Sequence, residues 1–487
     1  MVMRTFEFKE GKSAKFWNIE LAVKAFTVTY GRLGTPGQKQ TKRFPDAAKA
    51  QAAHDKLVAE KLGKGYVETS GKKAMSPLQK SLEQAILDNP DDLATHAAYA
   101  DFLTEQGDPR GEFIQVQLAL EDPQRSPKER KQLQAREKEL LKKHGRDWLG
   151  ELAPFLMGKD VTGLSKFQAK EQKIGFAFSR GWLETLAIKF LPVQLSRVLA
   201  RAPESRLLRR LVIESQAYQN PIHDPSEIEE LEEYDGWYEP GADAPEMEYS
   251  GPGPYPLRRS PYLGNVRVFQ LGEQVPEKEW QYPSCHTDGE VAVDLVKKMP
   301  RLEELYLLAH NVDTKVLFKL PTLTHLRVLQ VYHCDNYPLD LLAKNAGLTN
   351  LQQLLLHPHG LDDEEPYIRL DGLRAITRSP HLKSLTHLSI HCADVGDPGC
   401  QEIVNSGILK RLKVLDLRHG EVTDKGAAIL AACPDLKKLE LLDLNRNALT
   451  KKGQAALKKV GIPVKVDNQQ TADDLQYRMY LFEADPE

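Results

Sequence analysis

The sequence predicts a multidomain α/β protein. A small α+β unit comes first, a helical segment follows, and an α/β repeat solenoid (a horseshoe) fills residues 161–470. Three observations carry this reading. Apolar triplets spaced L-x-x-L-x-L recur nine times between Leu183 and Leu444. Strand-like alternation and one amphipathic helix occupy residues 1–68, and residues 76–155 show helical periodicity punctuated by Pro and Gly. At 487 residues the chain also exceeds what one core accommodates.

Bulk composition narrows the class further. The formal net charge is −3, with 41% hydrophobic and 28% charged residues, as in an ordinary globular protein. No run of about 18 apolar residues is present, so no membrane span is expected. The first residues, Met1 to Lys9, lack the apolar core of a signal peptide. The five cysteines, Cys285, Cys334, Cys392, Cys400 and Cys433, form no CxxC pair, which points to free thiols in a reducing cytoplasm.

Within residues 1–68, Phe16–Leu21 and Ala25–Tyr30 alternate as strands do, and Lys39–Phe44 reads as a third. Asp46–Leu62 is an amphipathic helix with Ala47, Ala50, Ala53, Leu57 and Val58 inward. Gly31, Gly34, Pro36 and Gly37 punctuate the loop between strands. Thirteen Lys/Arg against seven Asp/Glu give this unit +6, the local excess that phosphate neutralisation requires. The run Tyr30-Gly31-Arg32-Leu33-Gly34-Thr35-Pro36-Gly37-Gln38, the helix, and Gly65-Tyr66-Val67-Glu68 together resemble the WGR domain. That domain occurs in some poly(ADP-ribose) polymerases and in bacterial regulator-like proteins. A tyrosine, Tyr30, stands where the motif has tryptophan. The resemblance implies an aromatic laid against a DNA end with an arginine beside it, and so nominates Tyr30, Arg32, Lys39, Lys42 and Arg43. WGR domains also serve as protein contacts, and turn geometry alone accounts for the glycines.

Residues 69–75 read as a linker and 76–160 as a helical domain. Ser76-Pro77 is an N-cap followed by proline at the first helical position. Asn89-Pro90 ends the first helix, and Gln106-Gly107-Asp108-Pro109 the second. A third runs from Arg110 to Glu121, and a charged one from Pro127 to His144. The run from Leu82 to Asp92, and then Tyr99 to Ile114, resembles the bacterial repeat-companion domain, which precedes repeats and implies a cap on their exposed core end. Asp101, Glu105, Asp108 and Glu112 sit at helix ends, where capping explains them without a metal.

The repeat matches its template best at Leu439, Leu442, Leu444 and Asn447. Earlier members are Leu412/Leu415/Leu417, Leu385/Leu388/Ile390, Leu351/Leu354/Leu356 and Leu326/Leu329/Val331. Leu302/Leu305/Leu307, Val266/Phe269/Leu271, Leu208/Leu211/Ile213 and Leu183/Leu186/Ile188 precede them. Each triplet turns inward from a short strand, and the Asn or Cys that follows (Asn447, Cys334) satisfies backbone groups at the turn. Thr423 or Asp424 is placed to cap a return helix whose inner side is Ala427, Ile429, Leu430 and Ala431. The 27-residue spacing with helical returns resembles the ribonuclease-inhibitor type of leucine-rich repeat. Residues 220–262 read as an insertion and 471–487 as a tail. From His223 to Ser250 the insertion holds eleven acids and no Lys or Arg. Trp237 and Tyr238 lie among them as candidate partner contacts, although a solvated loop is the plainer reading.

Register nominates Tyr306, Tyr332, His357, His391, Asp416, Arg418 and Asp443 for the concave face, a mixture suited to a protein partner. His357, His359, His387 and His391 lack a completing ligand, so no metal or other cofactor is expected. No GxxxxGK[ST], HExxH, GxSxG or GxGxxG motif occurs, and no catalytic residues are nominated. The expected function is therefore a non-enzymatic adaptor, with DNA ends or nicks at the WGR-like unit and a protein on the repeats. The competing reading is a receptor, inhibitor or scaffold that contacts only proteins.

Overall fold

The computed structural model describes residues 3–10, 13–68, 75–158, 160–216, 253–274, 287–334, 336–358 and 368–477. They fall into two compact units, residues 1–111 and 112–487. Residues 220–252 of the insertion, with its acidic stretch, Trp237 and Tyr238, lie outside the described residues, as do His359 and Cys285.

The first unit opens with a five-stranded sheet in the order β4-β3-β2-β1-β5. Its strands are β1 (Met3–Glu10), β2 (Ser13–Ala22), β3 (Ala25–Arg32), β4 (Gln38–Arg43) and β5 (Val67–Glu68). β1 and β5 are additional to the three strands expected, and Arg4 ties them together through a bidentate pair with Glu68 at 2.8 and 2.6 Å. Helix α1 (Ala47–Gly63) is capped by Asp46, which accepts from the Lys49 amide. Its buried stripe is Ala50, His54 and Val58, one residue per turn, whereas Ala47 is exposed. These residues close over Phe6, Trp17, Ile19, Phe26 and Val28. Helices α2 (Pro77–Asp88) and α3 (Leu93–Glu105) follow, capped by Ser76 and Asp92. They are joined by the buried Tyr99 hydroxyl, which donates to Glu83 at 2.7 Å.

The division between units falls inside α4 (Pro109–Glu121), and α5 (Pro127–Leu149) begins with a Ser126/Glu129 capping box. The second unit is dominated by an eleven-stranded sheet in strict sequence order, β6 to β16. The first pair, β6 (Ile174–Ser179) and β7 (Trp182–Leu191), is antiparallel. Every later neighbour is parallel: β8 (Arg210–Gln216), β9 (Val268–Leu271), β10 (Glu304–Leu308), β11 (Val328–Cys334) and β12 (Gln353–Pro358). β13 (His387–Ile390), β14 (Val414–Asp416), β15 (Leu441–Asp443) and β16 (Val464–Lys465) complete it.

The triplets stand in register. Leu186, Leu211, Phe269, Leu305, Leu329, Leu354, Leu388, Leu415 and Leu442 pair across consecutive strands and are all fully buried. Together with their partners they form one continuous core. The long gap between Leu208 and Val266 leaves the order intact, because β8 and β9 remain neighbours. At the other end, α4 and α5 pack on the β6 side. Phe113 and Trp148 sit against Phe178, and Gln117 donates to the Phe178 carbonyl and accepts from the Gly181 amide.

Helical returns are stapled from one repeat to the next. Thr423 caps the helix Asp424–Ala432. Asp397 of the preceding repeat accepts from the Thr423 amide and hydroxyl and from the Gly426 amide, at 2.9, 2.7 and 2.8 Å. Asp424 repeats this on Thr450 and Gly453 one repeat later. A Cβ at Gly426 would stand 2.5 Å from the Asp397 carboxylate and 2.8 Å from Val422. Gly426→Ala is therefore expected to destabilise the repeat unit by about 1–3 kcal/mol. Calorimetry of the full chain reads this as a lower transition midpoint.

Candidate functional site

Two polar constellations stand out. The first lies where β2, β3 and the end of α1 meet. Gly31 and Gly37 are in near contact: a Cβ at Gly31 would stand 2.8 Å from the Gly37 Cα, and Gly37 adopts φ +70°. Only residues without side chains close the loop this tightly. Thr35 then donates from its hydroxyl and its amide to the Arg32 carbonyl. The loop thereby fixes Tyr30 (40% exposed) and Arg32 at the rim of a cleft of about 520 Å³.

Lys15, Phe16, Lys61 and Tyr66 also line the cleft. Lys15 is the cross-strand partner of Arg32, and Trp17 of Tyr30. The Lys61 ammonium lies 5.1 Å from the Tyr66 ring centre and 5.7 Å from that of Trp17. Partial burial and the neighbouring Lys64 and Lys15 hold the Lys61 pKa below the ordinary lysine value. Three cations and two tyrosines thus face a common opening with no carboxylate among the lining residues.

The nominated basic residues divide here. Tyr30 and Arg32 line the cleft. Lys39, Lys42 and Arg43 stand on β4, whose six residues are all exposed, and do not line it. Strand alternation splits them further: Lys42 pairs with the core residue Phe26, whereas Lys39 and Arg43 pair with Thr29 and Ala25, which face the other way. In the sequence Lys15 and Lys61 register only as charge, and neither is nominated. Tyr66 belongs to the motif Gly65-Tyr66-Val67-Glu68, which gives it no role of its own.

The second constellation crosses the repeat sheet on the face opposite the leucine core. His357 and His391 approach at 3.0 Å through their Nδ1 atoms. His391 Nε2 lies 3.1 Å from Asp416. Arg418 bridges Asp416 at 2.8 Å and Asp443 at 3.1 Å, and Lys465 lies 3.5 Å from Asp443. Burial raises the Asp416 pKa but His391 and Arg418 outweigh it, leaving the carboxyl well below its usual range. Asp443 is shifted the other way, by burial and by Asp416.

This row corrects the expected concave contact surface. Tyr332, His357, His391, Asp416 and Asp443 are 5, 0, 3, 6 and 0% exposed. They pack against or pair with one another and with Arg418 rather than facing solvent. Arg418 is half-buried, as is Tyr306, whose hydroxyl donates to Glu304. Strand register places these side chains on one face but does not reveal what covers that face. Among the described residues, no group of three or more His, Cys, Asp or Glu is arranged to hold a metal. Of the helix-end acids, Asp108 accepts from the Arg110 amide and Glu112 pairs with Arg136. The described cysteines, Cys334, Cys392, Cys400 and Cys433, are free thiols. Among the described residues no helix is long and apolar enough to cross a membrane.

Comparison with known proteins agrees with both ends of the chain. The WGR domain family matches residues 2–73, and the leucine-rich repeat family matches 381–404 and 411–431. Protein YehF of Escherichia coli K12 is 43% identical over 77 residues, which are 16% of this chain and 28% of that protein. The uncharacterized protein YfeS of the same organism is 37% identical over 65 residues, 13% of this chain and 27% of its own. The alignments thus span little more than a quarter of either relative. A solved Bacteroides fragilis protein aligns over 97% of this chain and 98% of its own at 18% identity, with a TM-score of 0.37, too loose a likeness to describe the fold. The chain carries a WGR domain at its N-terminus and leucine-rich repeats in its C-terminal part.

Proposed function

We propose that this protein is a non-enzymatic cytoplasmic adaptor whose WGR domain binds DNA ends or nicks, while its repeats, a horseshoe-type solenoid, hold a protein partner. The observation that carries the nucleic-acid half is the cleft. Lys15, Arg32 and Lys61 converge with Tyr30 and Tyr66 at its rim, a combination that neutralises phosphate and stacks on a sugar or base. A phosphate entering between the three cations would relieve their mutual repulsion. Lys42 extends the basic surface on the neighbouring strand. In this reading α4 and α5 cap the first edge of the repeat sheet, as their packing on Phe178 suggests.

The protein-binding half rests on the repeat architecture rather than on the buried polar row. Its contact residues are therefore sought among exposed positions and the aromatic, acidic insertion. Binding of a fluorescent nicked duplex to the full chain at several salt concentrations tests the proposal. Lys61→Ala should weaken binding and lower the slope of log K against log salt by about one. An unchanged slope would remove Lys61 from the interface.

A further inference from the structure

Helix α5 carries more positive charge than its packing uses. Its inner side is set by the buried Leu140, Trp148 and Leu149, with Trp148 against Phe113 and Phe178. Two of its arginines hold it in place. Arg130 donates to the carbonyls of Leu120 and Asp122, and Arg136 pairs with Glu112 and Glu139. Of its acids, Glu129 closes the cap with Ser126, Glu137 accepts from Gln117, and Glu139 accepts from Arg136. Asp147, the remaining acid, stands about 100° round the helix from Arg146.

The other cations fall almost in one line. Lys128, Lys131, Lys138, Lys142 and Arg146 are exposed, and Lys143 lies just beside them. At about 100° and 1.5 Å per residue the five occupy an arc of about 80° along about 27 Å of helix. Among the described residues none of the five is ion-paired. The arrangement works against the free helix. Lys138, Lys142 and Arg146 follow one another at i, i+4, where like charges repel, and Lys128 adds a cation to the first turn, which the helix dipole disfavours. An anion laid along the stripe removes both penalties.

The partner follows from what the stripe holds and lacks. Between Lys128 and Arg146 the one apolar residue in the arc is Ala135, so nothing is placed to enter a bilayer. Point charges on flexible stems, set along a straight rod, suit a long, stiff line of anions. A DNA duplex is such a line, with one negative charge about every 1.7 Å of its axis. We propose that the outer side of α5 is a second DNA-contacting surface, which takes the phosphate backbone of a duplex without regard to sequence. It shares the partner of the proposed function but not its site: cleft and stripe have no residue in common, so each can fail alone.

The test titrates a fluorescent blunt duplex with the full chain over a range of salt. Lys131→Gln, Lys138→Gln and Lys142→Gln together remove three exposed charges from the stripe. The slope of log K against log salt should fall by about 2.7, the release expected for three phosphate contacts. A control triple, Lys315→Gln, Lys319→Gln and Lys383→Gln, removes the same net charge from exposed positions elsewhere and should leave the slope unchanged. Arg32→Ala, alone and added to the stripe triple, separates the two surfaces. Equal slopes for the stripe and control triples would overturn the stripe, even where Arg32→Ala weakens binding and so upholds the cleft. A loss in the stripe triple with none in Arg32→Ala would do the reverse. A parent that shows no salt-sensitive binding overturns both. Displacement of the duplex by polyglutamate at equal charge concentration would also overturn the proposal, assigning the stripe to an acidic polypeptide.

Discussion

Replacing Arg418 by alanine is expected to destabilise the repeat unit by about 3–5 kcal/mol, the cost of breaking a buried ion pair by removing one partner. Arg418 is the cation shared by Asp416 and Asp443, at 2.8 and 3.1 Å, and both carboxylates are buried. Without it Asp443 retains Lys465 at 3.5 Å and Asp416 retains His391. The two anions on adjacent strands then repel each other across a medium that screens poorly. Burial and Asp416 already raise Asp443 in the parent, and the variant raises it further. A carboxyl raised in the folded state favours folding at low pH and loses that advantage as pH climbs through its folded pKa. The penalty of Arg418→Ala should therefore shrink on acidification. Adding Asp443→Asn should recover much of it at neutral pH. Urea unfolding of the three chains at pH 5 and 8 measures both effects, and an equal penalty at the two pH values would contradict this account.

Asn447→Ala should cost about 3 kcal/mol, because one side chain serves three backbone groups, two of them in contacts buried from water. Its amide donates to the carbonyls of Leu417 and Asn445 at 2.8 and 3.2 Å, and its oxygen accepts from the Val422 amide at 2.9 Å. Two of these partners belong to the preceding repeat, so the loss is felt between repeats as well as within one. Cys334 occupies the same slot earlier and offers only a thiol, which contacts the Ala309 and Tyr332 carbonyls at 3.4 and 3.7 Å. Cys334→Ala should accordingly cost well under half as much. Calorimetric midpoints of the two variants, compared with the parent, give the ordering.

The repeat sheet was legible because each triplet declares its own strand, and parallel neighbours follow sequence order once no strand is skipped. Thus Leu186 and Leu442 sit in one row although Val266 comes 58 positions after Leu208. β1 is not among the expected strands, although Phe6 and Phe8 alternate with charges, because so short an alternation at the start of the chain is a weak strand signal. Tyr30 and Arg32 were legible from a local motif. Lys15 and Lys61 were not, because they reach the cleft from different elements and a lysine's role depends on what surrounds it. The same reason hid the burial of His357 and His391. Register places side chains on a face, but exposure is decided by whatever else packs there.

The central claim, that the WGR cleft binds DNA, is tested most directly by titrating the full chain and its Arg32→Ala and Tyr30→Ala variants against nicked and blunt duplexes at low and physiological salt. Salt-sensitive binding by the parent is expected. Weakening by about 1–3 kcal/mol is expected in each variant, with the Arg32 loss carrying the salt dependence and the Tyr30 loss nearly independent of it. Absence of binding by the parent, or equal affinity among the three chains, would contradict the claim and leave the cleft to a protein ligand.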